Sequence, residues 1–333
     1  MRRRTLLLLL LALAGCKGST DTSSNIKVDD SSAAANPTRS SGSLPKIGVS
    51  LLSFQNPFFK TIANNIERDA AEAGYTVIAL SADDDVAKQS HQVKDFIVQK
   101  VAAIVLSPCD SKVIVPIIQE ANAAGIPVFT VDIPCREPGV QIASQVATDN
   151  RSGGVEAGKA VLETLNGQPG KVAIVHYKTA ESCVLRVEGF RAAIEEHNQA
   201  NPDSQVDIVA ELDGGGRTEL GYAAGEDLVQ AHPDLKAIFA INDPSALGVV
   251  AALEKAGKIG QIAVVGFDGQ PEGKQAIKDG KIYADPIQFP DRMGQEVVRL
   301  IIAYSNGEEI PPEVLIPTEL YRKADADQDP LLK

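Results

Sequence analysis

Residues 47–59 read Ile-Gly-Val-Ser-Leu-Leu-Ser-Phe-Gln-Asn-Pro-Phe-Phe, and the fold is decided there. Ile47, Val49, Leu51 and Leu52 form a short apolar run that predicts a buried strand. A polar loop follows, and Asn56-Pro57 then opens a helix expected to run to about Ala73. Proline suits the first helical position, where its missing N–H would be unpaired anyway, and asparagine suits the cap before it. Phe58 and Phe59 therefore sit in the first turn of a helix at the C-terminal end of a strand. In open α/β sheets that edge is where ligands bind. Core burial is the ordinary fate of such rings, and one of the two is expected to meet it.

Upstream, the chain reads as an address and a tether. Arg2, Arg3 and Arg4 precede an apolar run over 6–13, shorter than the ~20 residues a membrane-spanning helix needs. The run ends in Leu13-Ala14-Gly15-Cys16, and a basic head, a short apolar middle and small residues before a cut describe an export signal. Leu-Ala-Gly-Cys resembles the lipobox of bacterial lipoproteins. That resemblance implies a signal peptide over 1–16 and lipidation of Cys16, which anchors the chain to a membrane without spanning it. Residues 17–45 are rich in Ser, Thr, Asp, Asn, Gly and Ala, have little to bury, and are expected to be a flexible linker.

Downstream, strand-like runs alternate with helical patterns. Strands are expected over 76–80, 103–106, 127–131, 172–175, 207–210, 237–241, 262–267 and 282–287. Helices are expected over 86–99, 113–124, 154–165, 186–197, 218–231 and 246–256. Gly74, Gly125 and Gly257 stand where left-handed helix C-caps are wanted. Short apolar strands between helices mean βαβ units and parallel sheets. The alternation runs through both halves, with a less regular stretch over 134–150 between them. The fold class is therefore α/β, two doubly wound parallel-sheet lobes in tandem with a cleft between them.

Polar residues cluster at the predicted strand ends. Asp132, Asn242, Asp243, Asp268 and Gln288 each follow a strand, where a parallel sheet delivers its next side chain to the ligand edge. A lone Asp or Asn there is ordinarily a turn or cap residue. Several converging with Phe58 and Phe59 instead suit a polyhydroxylated ligand. Carboxylates accept hydrogen bonds from hydroxyls, carboxamides donate and accept, and an aromatic face covers the apolar C–H side of a sugar ring.

With these residues in place, the chain resembles the periplasmic sugar-binding proteins of the ribose-binding type, which feed ABC transporters. The resemblance runs over 46–320. Its marks are Asn56-Pro57-Phe58-Phe59, Asp132, Ala147-Thr148-Asp149-Asn150, Glu188-Gly189-Phe190, Asn242-Asp243-Pro244-Ser245-Ala246-Leu247-Gly248 and Val265-Gly266-Phe267-Asp268-Gly269. It implies a type I periplasmic binding protein fold with a three-strand hinge, crossing near Thr148, Gln288 and Pro317. One lobe would hold 46–148 plus 289–317, the other 149–288 plus 318–327. It also implies a monomer that captures a monosaccharide or related polyol by hinge closure and delivers it to an ABC permease, outside the cytoplasm. The sugar contacts carried over are Asn56, Phe58, Phe59, Asp132, Asn242, Asp268 and Gln288. The match departs from ribose binders at three places. Ile133 and Val184 replace two expected arginines, and Gly214-Gly215-Gly216 replaces an expected aromatic. Arg186 is expected to support the fold, Arg217 is an open candidate, and Phe54 either supplies the lost ring or lines the rim. Neither Asp132 nor Asp268 has an expected structural partner.

Other classes of function fare worse. A formal charge of −12 opposes nucleic acid and anionic lipid surfaces as partners. Gly153 to Ala160 nearly spells a phosphate-binding loop, but Ala160 stands where a hydroxyl is required and no strand precedes it. Asp83-Asp84-Asp85 is expected to be a solvated turn capping a helix at Val86 rather than a cation site. His91, His176, His197 and His232 lack zinc spacing, and no serine nucleophile elbow occurs, so neither an enzyme nor a cofactor or metal is expected. A sugar-responsive transcription regulator needs a basic DNA-binding head that this acidic, exported chain lacks. The remaining alternative is a sugar-sensing receptor subunit for chemotaxis or a signalling kinase. Cys109 and Cys135, just beyond strand ends of one lobe, could pair, while Cys183 belongs to the other.

Overall fold

A computed structural model describes residues 44–333. The signal-peptide reading, nearly all of the linker and Cys16 lie outside the described residues. The first lobe begins with β1 (Lys46–Leu51), α1 (Pro57–Glu72), β2 (Thr76–Ser81), α2 (Val86–Val98), β3 (Ala103–Leu106), α3 (Val115–Ala123), β4 (Val128–Val131) and β5 (Ser144–Thr148). The second follows with α4 (Asn150–Leu165), β6 (Gly170–His176), α5 (Glu181–Ala200), β7 (Val206–Asp213) and α6 (Thr218–Ala231). It continues through β8 (Leu235–Ala240), α7 (Asp243–Lys255), β9 (Ala263–Val265), α8 (Pro271–Lys278) and β10 (Ala284–Ile287). The chain then returns for α9 (Pro290–Ser305) and β11 (Glu313–Ile316), and crosses again for β12 (Glu319–Arg322) and α10 (Lys323–Gln328).

Each lobe holds a six-stranded sheet, ordered β11-β5-β4-β3-β1-β2 and β12-β10-β9-β8-β6-β7. All pairings in the first are parallel; in the second only β12, against β10, is antiparallel. The chain passes between the sheets after β5, after β10 and after β11. Strand alternation explains why both faces of each sheet are covered. In β3, Ala103 and Val105 enter one core while Ile104 and Leu106 enter the other. A single apolar cluster under α1, α9, α4 and α5 lines one face of both sheets. Separate clusters pack α2 and α3, and α6 to α8, on the outer faces.

The sequence expectations hold for this two-lobed α/β class, and Gly74, Gly125 and Gly257 adopt positive φ as helix caps should. Asp85 caps α2 by accepting from the amides of Ala87 and Lys88. Two differences matter. The irregular stretch contains β5, whose polar Ser144 and Gln145 are buried because the strand lies inside the first sheet. The helix expected from Gly154 starts earlier, at Asn150, and α4 uses its glycines for close packing. A Cβ on Gly154 would lie 2.0 Å from the Arg186 carbonyl oxygen of α5, and one on Gly189 2.0 Å from that of Arg151.

That contact sets how α5 presents Arg186. Gly154→Ala is expected to destabilise the protein by about 1–3 kcal/mol, the usual cost of forcing a methyl into a packed interface. A thermal melt showing an unchanged midpoint would contradict the close helix packing.

Candidate functional site

The C-terminal ends of the two parallel sheets face one cavity of about 390 Å³. The rims of the lobes touch beside it: the Ser111 amide donates to the Thr179 carbonyl at 3.2 Å, and the Glu181 amide to Ser111 Oγ at 3.2 Å. All seven residues expected to contact a ligand line this cavity: Asn56, Phe58, Phe59, Asp132, Asn242, Asp268 and Gln288.

The two phenylalanines stand edge to face, ring centroids 5.3 Å apart, and each is 4 % exposed. Both therefore belong to the core cluster and to the cavity wall at once, so the choice between core and site was a false one. Asn56 caps α1, its Oδ1 accepting from the Phe58 amide at 2.9 Å, which leaves its NH₂ for other partners. Asn242 likewise caps α7 through the Ser245 amide and donates from Nδ2 to the Gly216 carbonyl at 3.0 Å. Capping and lining are compatible, because a cap uses one atom of the amide.

Asp132 and Asp268 both carry positive φ, 65° and 110°, a costly backbone for a residue with a side chain. Each backbone is held by a neighbouring strand, through the Val146 and Pro286 carbonyls. Beyond that the two differ. Asp268 accepts from Arg186 Nη1 at 3.0 Å and from Gln288 Nε2 at 2.6 Å, with Gln270 at 3.4 Å. The expectation that it lacks a structural partner is thus corrected. Arg186, 3 % exposed, also donates to Asn150 Oδ1 and the Ile241 carbonyl, and stacks 3.9 Å above the Phe267 ring. Arg186 supports the fold as expected, and it lines the cavity too. Gln288 accepts from Thr148 Oγ1 at 2.7 Å, joining two of the interlobe crossings.

Asp132 is the opposite case. It is 4 % exposed, and its Oδ1 has no hydrogen-bond partner among the described residues. Burial pushes its carboxyl up to about 7, with Arg186 pulling it back and Asp268 adding to the rise. Behind it, Asp243 lies against Asp285; burial and the neighbouring carboxylate raise Asp243 well above the usual range, while burial takes Asp285 to about 6.

Several lining residues escaped the sequence reading: Asp84, Tyr177, Ser182, Cys183, Glu219 and Gln270. Arg217, the open candidate, lines the cavity, whereas Phe54 is not among the lining residues and packs on the core. Cys109, Cys135 and Cys183 are all buried free thiols, so the suggested Cys109–Cys135 pair is not formed. Among the described residues no cluster of His, Cys, Asp or Glu is arranged for a metal.

Two sheets meeting edge to edge around an amide- and carboxylate-lined cavity define a two-lobed solute-binding protein. Residues 47–309 match the family described as periplasmic binding protein domain. The chain is 34% identical over 275 residues to the ribose import binding protein of Bacillus subtilis, covering 82% of this chain and 86% of that one. Among solved structures, it is similar to an ABC transporter solute-binding protein from Mycobacterium smegmatis with bound glycerol. That similarity is 32% identity at a TM-score of 0.78, covering 86% of this chain and 96% of the other. It is also similar to one from Actinobacillus succinogenes with bound D-allose, at 27% identity and a TM-score of 0.77, covering 86% and 100%. The chain belongs to the periplasmic binding protein family. It is a solute-binding protein of the kind that serves ABC transporters.

The two aspartates should separate in ligand-free melts. Asp268→Ala strands Arg186 as a buried, partly unpaired charge and is expected to cost about 3–5 kcal/mol. Asp132→Asn removes a carboxyl without a partner and should leave the melting temperature unchanged or raise it at pH 8. Asp132 (about 7) and Asp285 (about 6) hold protons that the unfolded chain has released above about pH 4. Wild type should therefore melt higher at pH 5 than at pH 8, and Asp132→Asn should show a shallower dependence. Equal midpoints for Asp132→Asn and Asp268→Ala would refute the distinction.

Proposed function

We propose that this protein captures an uncharged monosaccharide or related small polyol in the interlobe cavity, closes on it, and delivers it to an ABC permease. The reading is carried by Asp132: a buried carboxylate oxygen without a protein partner, in a cavity whose apolar wall is Phe58 and Phe59. A hydroxyl supplies the missing donor, and a sugar's C–H face supplies the apolar partner. The cavity falls in the ~300–1,000 Å³ range of small-molecule sites. Relatives with bound D-allose and glycerol, and a ribose import protein, support the class of ligand. Ribose itself is disfavoured, because Ile133 and Val184 supply none of the guanidinium donors of the ribose pattern.

Calorimetry with D-ribose, D-allose, D-fructose, D-galactose, myo-inositol and glycerol tests this. At least one hexose or polyol should bind more tightly than D-ribose and reduce the radius of gyration in solution scattering. At pH 8, where Asp132 is ionised, Asp132→Ala should weaken that binding at least about tenfold, since a hydrogen bond to a charged group is worth ~1.5–3 kcal/mol. Submicromolar ribose binding, or a full affinity in Asp132→Ala, would overturn the assignment.

We further propose that Cys16 is lipidated and holds the mature chain on the extracytoplasmic face of a membrane, on the strength of Leu13-Ala14-Gly15-Cys16 behind an arginine head. Detergent partitioning should place wild type with membranes and release Cys16→Ala; a soluble, unmodified wild type would end this proposal.

A further inference from the structure

The glycine run at 214–216 stands where the resembling pattern carries an aromatic ring, so the second lobe should lack an apolar wall opposite Phe58 and Phe59. It does not. Tyr177, the residue after β6, is half-buried and lines the cavity from the second lobe. Gly216 has φ +66°, and a Cβ there would lie 3.1 Å from Tyr177 Cδ1, 3.6 Å from Cε1 and 3.3 Å from Asn242 Nδ2. The missing side chain is thus what makes room for the ring, while the Gly216 carbonyl is fixed by Asn242. The second lobe's aromatic residue at the cavity follows strand β6, beside the glycine loop.

The ring comes with a hydroxyl that the position also uses. Tyr177 Oη donates to the Cys109 carbonyl of the first lobe at 3.4 Å, beside the two bonds that join Ser111 to Thr179 and Glu181. Burial holds the phenol well above its usual range, at about 12, so it remains a donor at any physiological pH. One side chain therefore touches the cavity with its ring and the opposite lobe with its hydroxyl.

We propose that Tyr177 is a specificity-determining residue that couples the two: its ring is the second-lobe wall against the sugar, and its hydroxyl ties the lobes at the rim. The ring half rests on the sugar reading above; the tie half stands on cross-cleft contacts alone. Opening the cleft must break the Tyr177–Cys109 bond, and a sugar packed on the ring disfavours that movement. A residue that merely fills space would serve equally well as any apolar side chain of similar volume.

Two variants separate these roles. In Tyr177→Phe the ring is kept, so affinity for the most tightly bound sugar of the six-member panel should stay within about threefold, whereas Tyr177→Leu should lose about tenfold or more. In ligand-free protein, amide exchange across 109–111 and 177–181 should be faster in Tyr177→Phe than in wild type, with exchange in β1 and β8 unchanged. Tyr177→Phe also serves as the folding control for Tyr177→Leu. Wild-type affinity in Tyr177→Leu overturns the wall, and unchanged rim exchange in Tyr177→Phe overturns the tie. If wild type binds no panel member, the sugar reading and the wall fall together, and the exchange measurement alone decides the tie.

Discussion

The buried Arg186–Asp268 pair is the constraint on which the site and the hinge both depend. Its guanidinium gathers the start of α4 through Asn150, the end of β8 through the Ile241 carbonyl and the end of β9 through Asp268. Asp268 passes the network to Gln288, and Gln288 to Thr148, so the cavity floor is bonded to the crossings after β10 and β5. The crossing after β11 is packed against the same region, because Gly153 would meet both Phe267 and Thr318 if it carried a Cβ. A buried ion pair adds little net stability over an apolar replacement, but it strongly penalises any arrangement that separates its members. Here the separated arrangement would be a second lobe whose strand ends no longer converge. The pair thus fixes the strand ends that form the second lobe's half of the cavity.

The same pair bears on the charge of the cavity. Asp84, Asp132, Asp243, Asp268, Glu219 and Glu272 line it against only Arg186 and Arg217, and Arg186 is already committed to Asp268. An anionic solute would meet the exposed acidic side chains of Asp84, Glu219 and Glu272 and find no unengaged buried cation. Hydroxyl donors face no such penalty. The acidic composition of the whole chain points the same way, repelling phosphates and uronates at long range before the cavity does so at contact.

Much of this was legible in residue order because it depends on local periodicity. The strand at 103–106 falls on the predicted residues, and α6 matches the helix expected at 218–231. Side chains that follow a strand reach the ligand edge whatever the lobe does elsewhere, so Asp132, Asn242, Asp268 and Gln288 were visible as candidates, while the full set of seven proposed contacts came from the family resemblance. What escaped has a common cause. β5 hides because a polar strand is buried only when neighbours accept its hydrogen bonds, as the Pro311 carbonyl does for Ser144 Oγ. Arg186 and Asp268 lie 82 positions apart, and no spacing rule joins them. Tyr177 follows its strand as the others do, but only the approach of Gly216 reveals why its ring is there.

The contrast between the two aspartates shows how far a positional rule can reach. Both follow a strand, both adopt left-handed backbone, and both are nearly inaccessible. Residue order makes them equivalent. Position alone, however, decides only that a carboxylate arrives at the edge, while its surroundings decide what it is available to do. Asp268 spends its lone pairs on Arg186 and two glutamine amides, so whatever it offers a solute is what that network leaves over. Asp132 is followed by Ile133, which is 2 % exposed and brings no charge, so nothing nearby competes for its unpartnered oxygen. With isoleucine rather than arginine beside it, Asp132 keeps an unpartnered buried oxygen at the cavity wall. If the proposed sugar is the solute, an analogue lacking a hydroxyl at Asp132 would leave that buried oxygen unpaired and bind more weakly.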